Sequence, residues 1–216
     1  MIPHKTPFFL PLFYPSLVWR MPTDKKELYL TFDDGPVNGP TEFVLEELKK
    51  ASAQATFFCI GDNIRKHPDV FQKLEAAPHA IGNHTFNHLN GWTTRTSDYV
   101  NNVALFEETL EKMTERSGGN HREPTTLFRP PYGRISRSQI MALKRYQIIM
   151  WDVLSFDYNK NLSAESCLRK TIKATGPGSI LVFHDSYKAE KNMTYILPRL
   201  ISHFSEQGYT FKAISR

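Results

Sequence analysis

The feature that most constrains this chain is a regular alternation of short apolar runs with longer amphipathic ones. Runs rich in Val, Ile, Phe and Tyr, bounded by turn residues, predict strands at Leu28–Phe32, Ala55–Ile60, His79–Asn83, Thr126–Arg129, Ile148–Val153, Ser179–Phe183 and Thr210–Ala213. Helices are predicted between them, over Thr41–Lys50, Pro68–Ala76, Ser97–Arg116, Ser136–Tyr146, Ser163–Thr175 and Met193–Gln207. The longest sets Val100, Val103, Phe106, Leu110 and Met113 along one side, with Gly118-Gly119 at its end. Strand–helix repetition of this kind predicts a parallel sheet covered by helices. A length of 216 residues suits one domain, and no linker, repeat or low-complexity stretch interrupts it.

Composition narrows the partners. The chain is 40% hydrophobic and 23% charged, enough apolar material for a sizeable core. Its net charge of +5 is spread along the sequence, with no basic run of the kind that binds nucleic acid. Two cysteines, Cys59 and Cys167, make no disulfide framework and no CxxC motif. The N-terminal stretch PFFLPLFYPSLVW is apolar, but three prolines break it, only Lys5 precedes it and no A-x-A follows. It is also too short to span a bilayer. We therefore expect residues 1–26 to pack on a domain of residues 27–216 rather than to act as an export signal or membrane contact, without a transmembrane anchor, in a monomer.

The polar clusters fall in a pattern. Asp33-Asp34 ends the first predicted strand, and His84 and His88 follow the third. Arg129-Pro130-Pro131-Tyr132 ends the fourth, Asp152 and Asp157 end or follow the fifth, and His184-Asp185 ends the sixth. In a β/α barrel the C-terminal strand ends share one face, where active sites are built. His84 and His88 are four apart, so on a helical turn both imidazoles point the same way. A carboxylate from another strand end would complete a three-ligand metal site. Of two adjacent acids at a strand end, one can face the ion while the other takes a proton. Asp-Gly-Pro alone would be only a turn, but that leaves two acids directly after an apolar strand unexplained.

The runs Thr31-Phe32-Asp33-Asp34-Gly35-Pro36, His84-Thr85-Phe86-Asn87-His88, Arg129-Pro130-Pro131-Tyr132-Gly133, Ser155-Phe156-Asp157-Tyr158 and Ile180-Leu181-Val182-Phe183-His184-Asp185 resemble, in order, the five motifs of the polysaccharide deacetylases, the NodB-like carbohydrate esterase family 4. The resemblance covers about residues 27–214. It implies a distorted, TIM-like β/α barrel of seven strands, with Asp34, His84 and His88 holding a divalent metal, zinc or cobalt. It further implies Asp33 as general base held by Arg129, His184 as general acid, and the Tyr132 backbone N–H on the oxyanion. Tyr158 and Val182 would line the acetyl pocket. The implied substrate is an N-acetylated or O-acetylated glycan, with N-acetylglucosamine units of peptidoglycan or chitin-like chains foremost.

Two departures stand out. The family's fourth motif often carries an acid three residues before the position of Asp157, and here Leu154 stands there. Asp152 lies two residues earlier, on the same face if the strand continues, and is expected to take over as partner of His184. Tyr158 stands where tryptophan is common. Trp92, just after His88, is equally open to sugar stacking and to plain packing. His4, His67, His79, His121 and His203 lack motif context and read as surface or structural.

Two other functions fit parts of the pattern. Two histidines and a carboxylate also form the facial triad of non-haem iron oxygenases, usually on a jelly roll. A non-catalytic carbohydrate-binding relative would lack Asp33, His184 or a metal ligand, and all are present. The compartment stays open, because a wall-polymer deacetylase meets its substrate outside the cytoplasm while no clean export signal is visible.

Overall fold

The computed structural model describes residues 3–116 and 125–215. The Gly118-Gly119 pair and His121 lie outside them. Strands β1 (Glu27–Asp33), β2 (Thr56–Cys59), β3 (Ala80–Asn83), β4 (Leu127–Phe128), β5 (Gln147–Ile148), β6 (Val153–Leu154), β7 (Ile180–His184) and β8 (Thr210–Phe211) form one sheet. Its order is β5-β4-β3-β2-β1-β7-β6, with β8 added beside β1, and every pairing between these strands is parallel. The parallel sheet with helices outside is what the alternation predicts, and seven strands on one curled path is the distorted barrel that the family resemblance implies.

The period-two pattern of β1 explains its place at the centre. Leu28, Leu30 and Phe32 face outward into the main core, shared with Val44 and Leu48 of α2 (Pro40–Lys50) and Met193, Leu197 and Leu200 of α8 (Glu190–Glu206). Tyr29, on the other face, joins Phe58, Leu127, Ile149 and Ile180 in a second cluster inside the curl. Gly82 is required there: a Cβ on it would sit 2.5 Å from the Phe58 ring. Above that cluster the inner face turns polar, with Thr31, Asp33 and Arg129.

The predicted strand Ile148–Val153 is in fact two, and this opens the barrel. β5 pairs only with β4 and β6 only with β7, so they are the two edges of the curl. The chain between them is covered by the N-terminal segment. Val18 N donates to Ile148 O and Met150 N to Val18 O, at 2.9 and 2.7 Å, while Thr6 N donates to Asp152 O and Leu154 N to His4 O, both at 2.8 Å. Backbone groups at the gap are thereby satisfied, and both edges are shielded from adding another strand. Leu17 is buried here, whereas Phe8, Phe9, Leu12 and Phe13 face outward around a single helical turn, α1 (Leu10–Phe13).

The remaining helices are α3 (Gly61–Lys66), α4 (Pro68–Glu75), α5 (Thr96–Arg116), α6 (Arg137–Ala142) and α7 (Ala164–Ala174). The α6 segment is shorter than its sequence pattern suggests, because Leu143 leaves the helical region (φ −100°, ψ 23°). Its start carries a capping box, Ser136 accepting from Gln139 N while Gln139 Oε1 accepts from Ser136 N.

Candidate active site

Asp33 and Asp34 diverge because their backbones do. Asp33 is the last residue of β1, paired in register with His184. Asp34 turns into the left-handed region (φ 80°), and Asn63 Nδ2 holds its carbonyl at 2.7 Å. Asp33 thus points into the polar interior and Asp34 toward the histidines. Asp185 clamps the loop behind them: its Oδ1 accepts from Gly35 N and its Oδ2 from Thr41 Oγ1, which itself accepts from Val37 N. A Cβ on Gly35 would lie 1.9 Å from Asp185 Oδ2, so only glycine fits under this clamp. Burial pushes the Asp185 carboxyl up to about 8.

His84 and His88 come together, but not on the expected helical turn. Thr85 (φ 63°) and His88 (φ 57°) are both left-handed, which no right-handed helix allows. The loop is braced instead: Thr85 N donates to Asn83 Oδ1, and Asn102 Oδ1 accepts from Phe86 N and Asn87 N. The imidazole centroids are 5.1 Å apart. His88 Nε2 lies 3.1 Å and His84 Nε2 3.8 Å from Asp34 Oδ1, and the ligand atoms of all three residues fall within 4.8 Å of one another.

The donor set suits a cation. His84 Nδ1 sits 2.7 Å from Arg129 O, which requires the proton on Nδ1 and leaves the Nε2 lone pair aimed at Asp34. Burial lowers the His84 pKa to about 4, so it is neutral at ordinary pH, as a ligand must be. Burial would raise Asp34, but the His88 hydrogen bond and the charges of His184, His84 and His88 outweigh it and hold the carboxyl below the usual range.

Arg129 is fully buried and every described contact of its guanidinium is to the site's frame. Nη1 donates to Thr31 Oγ1 and Asp33 Oδ1, Nε to Ile149 O and Nη2 to Met150 O, with the Phe58 ring 4.2 Å away. Asp33 Oδ2 accepts no hydrogen bond among the described residues, so one oxygen is pinned and the other is available.

The expectation for Asp152 is wrong. His184 Nδ1 lies 2.8 Å from Asp157 Oδ1, and Asp157 Oδ2 accepts from His184 N at 2.7 Å. Asp152 is at the opposite end of β7: its Oδ1 accepts from Ile180 N, and its Oδ2 from Ser179 Oγ, Lys5 Nζ and Arg20 Nη1. Strand alternation does not reach Asp152 because β6 begins only at Val153, and Phe156 (φ 58°) then turns the chain so that Asp157 meets His184. Burial works against a protonated His184, but the charge and hydrogen bond of Asp157 prevail and raise its pKa to about 9.

Tyr132 is also left-handed (φ 61°), inside a 3-10 turn at Pro131–Gly133, and its N–H meets no acceptor among the described residues. Its ring, 60% exposed, lies 4.5 Å from that of His88. Trp92 is 67% exposed, held through Nε1 to Ile135 O, with the Arg134 guanidinium 5.1 Å from its ring. Tyr158 stands edge-on to His184 at 4.9 Å, and Val182 is buried two positions before His184 on the same strand face. Five non-glycine left-handed residues, Asp34, Thr85, His88, Tyr132 and Phe156, are therefore site residues or their immediate chain neighbours. Such backbones cost roughly 1–3 kcal/mol each, and they persist where the surroundings dictate geometry. Besides the pairing of Asp157 with His184, the Asp185 clamp had no expected role; its signal was an acid directly after a strand-end histidine.

Residues 20–151 match the polysaccharide deacetylase family, and the chain belongs to it. The family comprises hydrolases acting on carbon–nitrogen bonds, which separates this parallel-sheet site from jelly-roll oxygenases. Among its relatives, a peptidoglycan-N-acetylglucosamine deacetylase of Bacillus cereus is 30% identical, with 92% of this chain and 91% of that protein aligned. A second one from that organism is 32% identical over 76% of this chain, which spans 58% of that protein's length. The peptidoglycan-N-acetylmuramic acid deacetylase PdaA of Bacillus subtilis is 32% identical over 89% of this chain and 71% of its own length. In structure, the chain is similar to the Bc1960 peptidoglycan N-acetylglucosamine deacetylase, with a TM-score of 0.86, 28% identity and coverage of 97% and 95% of the two chains.

Proposed function

We propose that the chain removes the N-acetyl group from N-acetylglucosamine-type units of a polysaccharide, with peptidoglycan as the leading substrate and chitin-like or O-acetylated glycans as alternatives. The convergence of Asp33, His184 and the Asp34–His84–His88 set on one cleft carries this reading. The names of the relatives favour peptidoglycan.

Asp34, His84 and His88 would hold a divalent ion, and two imidazoles with one carboxylate and open positions suit zinc. Such an ion polarises the acetyl carbonyl and makes water acidic enough to attack at neutral pH. Asp33 accepts the water's proton at its free Oδ2 while Arg129 fixes Oδ1. The Tyr132 N–H donates to the developing oxyanion, a contact its strained backbone prepares. His184, protonated at Nδ1 against Asp157, donates its Nε2 proton to the leaving amine nitrogen. Tyr158 and Val182 bound a short apolar pocket for the acetyl methyl. Trp92 and Tyr132 offer exposed rings to adjoining sugars.

The test is acetate release from a panel of N-acetylglucosamine oligomers, peptidoglycan and acetylated xylan. Release from the N-acetylated members supports the reading. Release from xylan alone would replace it with an O-esterase.

A further inference from the structure

Nine large apolar side chains are exposed among the described residues, and four of them, Phe8, Phe9, Leu12 and Phe13, fall within six consecutive positions. Phe8 is 86% exposed, Leu12 74% and Phe13 68%. A cluster of this kind in water marks an interaction surface. The loop that carries it is braced. Leu10 N donates to Pro7 O, Leu12 N to Phe9 O and Tyr14 N to Leu10 O. Both ends are hydrogen-bonded to the barrel, at Thr6 beside Asp152 and at Val18 beside Ile148.

Charge and placement identify the partner. The first acidic residue of the sequence is Asp24, whereas Lys5 and Arg20 flank the loop. Those two half-exposed cations share a single buried carboxylate, Asp152, which leaves the loop's root net positive. Lys5 also donates to Ala174 O at the end of α7, whose last turn carries Lys173. The root lies at the start of β7, where Asp152 accepts from Ile180 N, and so at the end of the strands opposite His184. A second copy docking symmetrically would set this basic rim against itself. No described helix is long and apolar enough to cross a membrane.

We propose that the Phe8–Phe13 loop docks the protein on an anionic lipid surface. Phe8, Leu12 and Phe13 enter the interface, Lys5, Arg20 and Lys173 face the headgroups, and the cleft points away from the bilayer. This contact is independent of the catalytic reading.

The test is sedimentation of the full chain with phosphatidylglycerol-containing vesicles and with pure phosphatidylcholine vesicles. Expected is preferential binding to the anionic vesicles, weakened by salt. Phe8→Ser, Leu12→Ser and Phe13→Ser should each lower the partition constant roughly tenfold, with unchanged turnover of a soluble oligosaccharide. Absence of vesicle binding overturns the proposal, as does binding that none of the three substitutions weakens. Self-association of the wild type that these substitutions abolish, without vesicle binding, would also overturn it in favour of a second copy.

Discussion

Asp157→Asn removes the charge opposite His184 and keeps the shape. In the wild type that charge and its hydrogen bond lift His184 from 6.5 to about 9 against the effect of burial. Without it, burial drives the imidazole back to 6.5 or below. At pH 8 a group of pKa ~9 is about 90% protonated and one of pKa ~6.5 about 3%, so the competent acid falls roughly thirtyfold. The assay is the pH profile of kcat/KM for acetate release. The alkaline limb should move down by about 2.5 pH units or more in the variant, with activity partly recovered near pH 6. A bound cation shifts both limbs downward, so the difference between the two proteins is the readout. Linkage gives a second check. Because folding raises this pKa, the stabilisation is complete below pH 6.5 and is lost as pH rises through about 9. Thermal stability of the metal-free wild type should therefore fall across that window more than that of the variant. Coincident alkaline limbs in the two proteins would refute the assignment of Asp157 as the group that keeps His184 protonated.

Asp152→Ala should destabilise by about 1–3 kcal/mol in denaturant unfolding, because Ile180 N, Ser179 Oγ, Lys5 and Arg20 lose their acceptor. Its alkaline limb should stay where the wild type's is. Arg129→Ala leaves Asp33 buried without its partner and should cost about 3–5 kcal/mol by the same measurement. Gly35→Ala drives a methyl into Asp185 and should lower both stability, by about 1–3 kcal/mol, and metal affinity measured by calorimetry.

The parallel sheet and the clustering of chemistry at its C-terminal edge were legible because periodicity and strand-end position depend on local sequence. Asp33, Asp34, His84, His88, Arg129 and His184 meet as their positions implied. What was illegible depends on single dihedral angles. The sequence suggested a helical turn for His84–His88, and left-handed Thr85 and His88 deny it. One unbroken strand from Ile148 would have put Asp152 in the site, but the chain leaves the sheet between Ile148 and Val153 to meet Val18 and Thr6. That partner is more than a hundred residues away, and no local pattern announces it. The long reach of Asp185 to Thr41 was hidden for the same reason.

The central claim is that Asp34, His84 and His88 hold the ion on which deacetylation depends. The most direct measurement is acetate release from an N-acetylglucosamine oligomer by chelator-stripped protein titrated with zinc. Activity should be absent without metal and rise linearly to saturation at one ion per chain, and His84→Ala should abolish the tight-binding phase. Full acetate release from the stripped protein would contradict the account, as would wild-type metal affinity in His84→Ala.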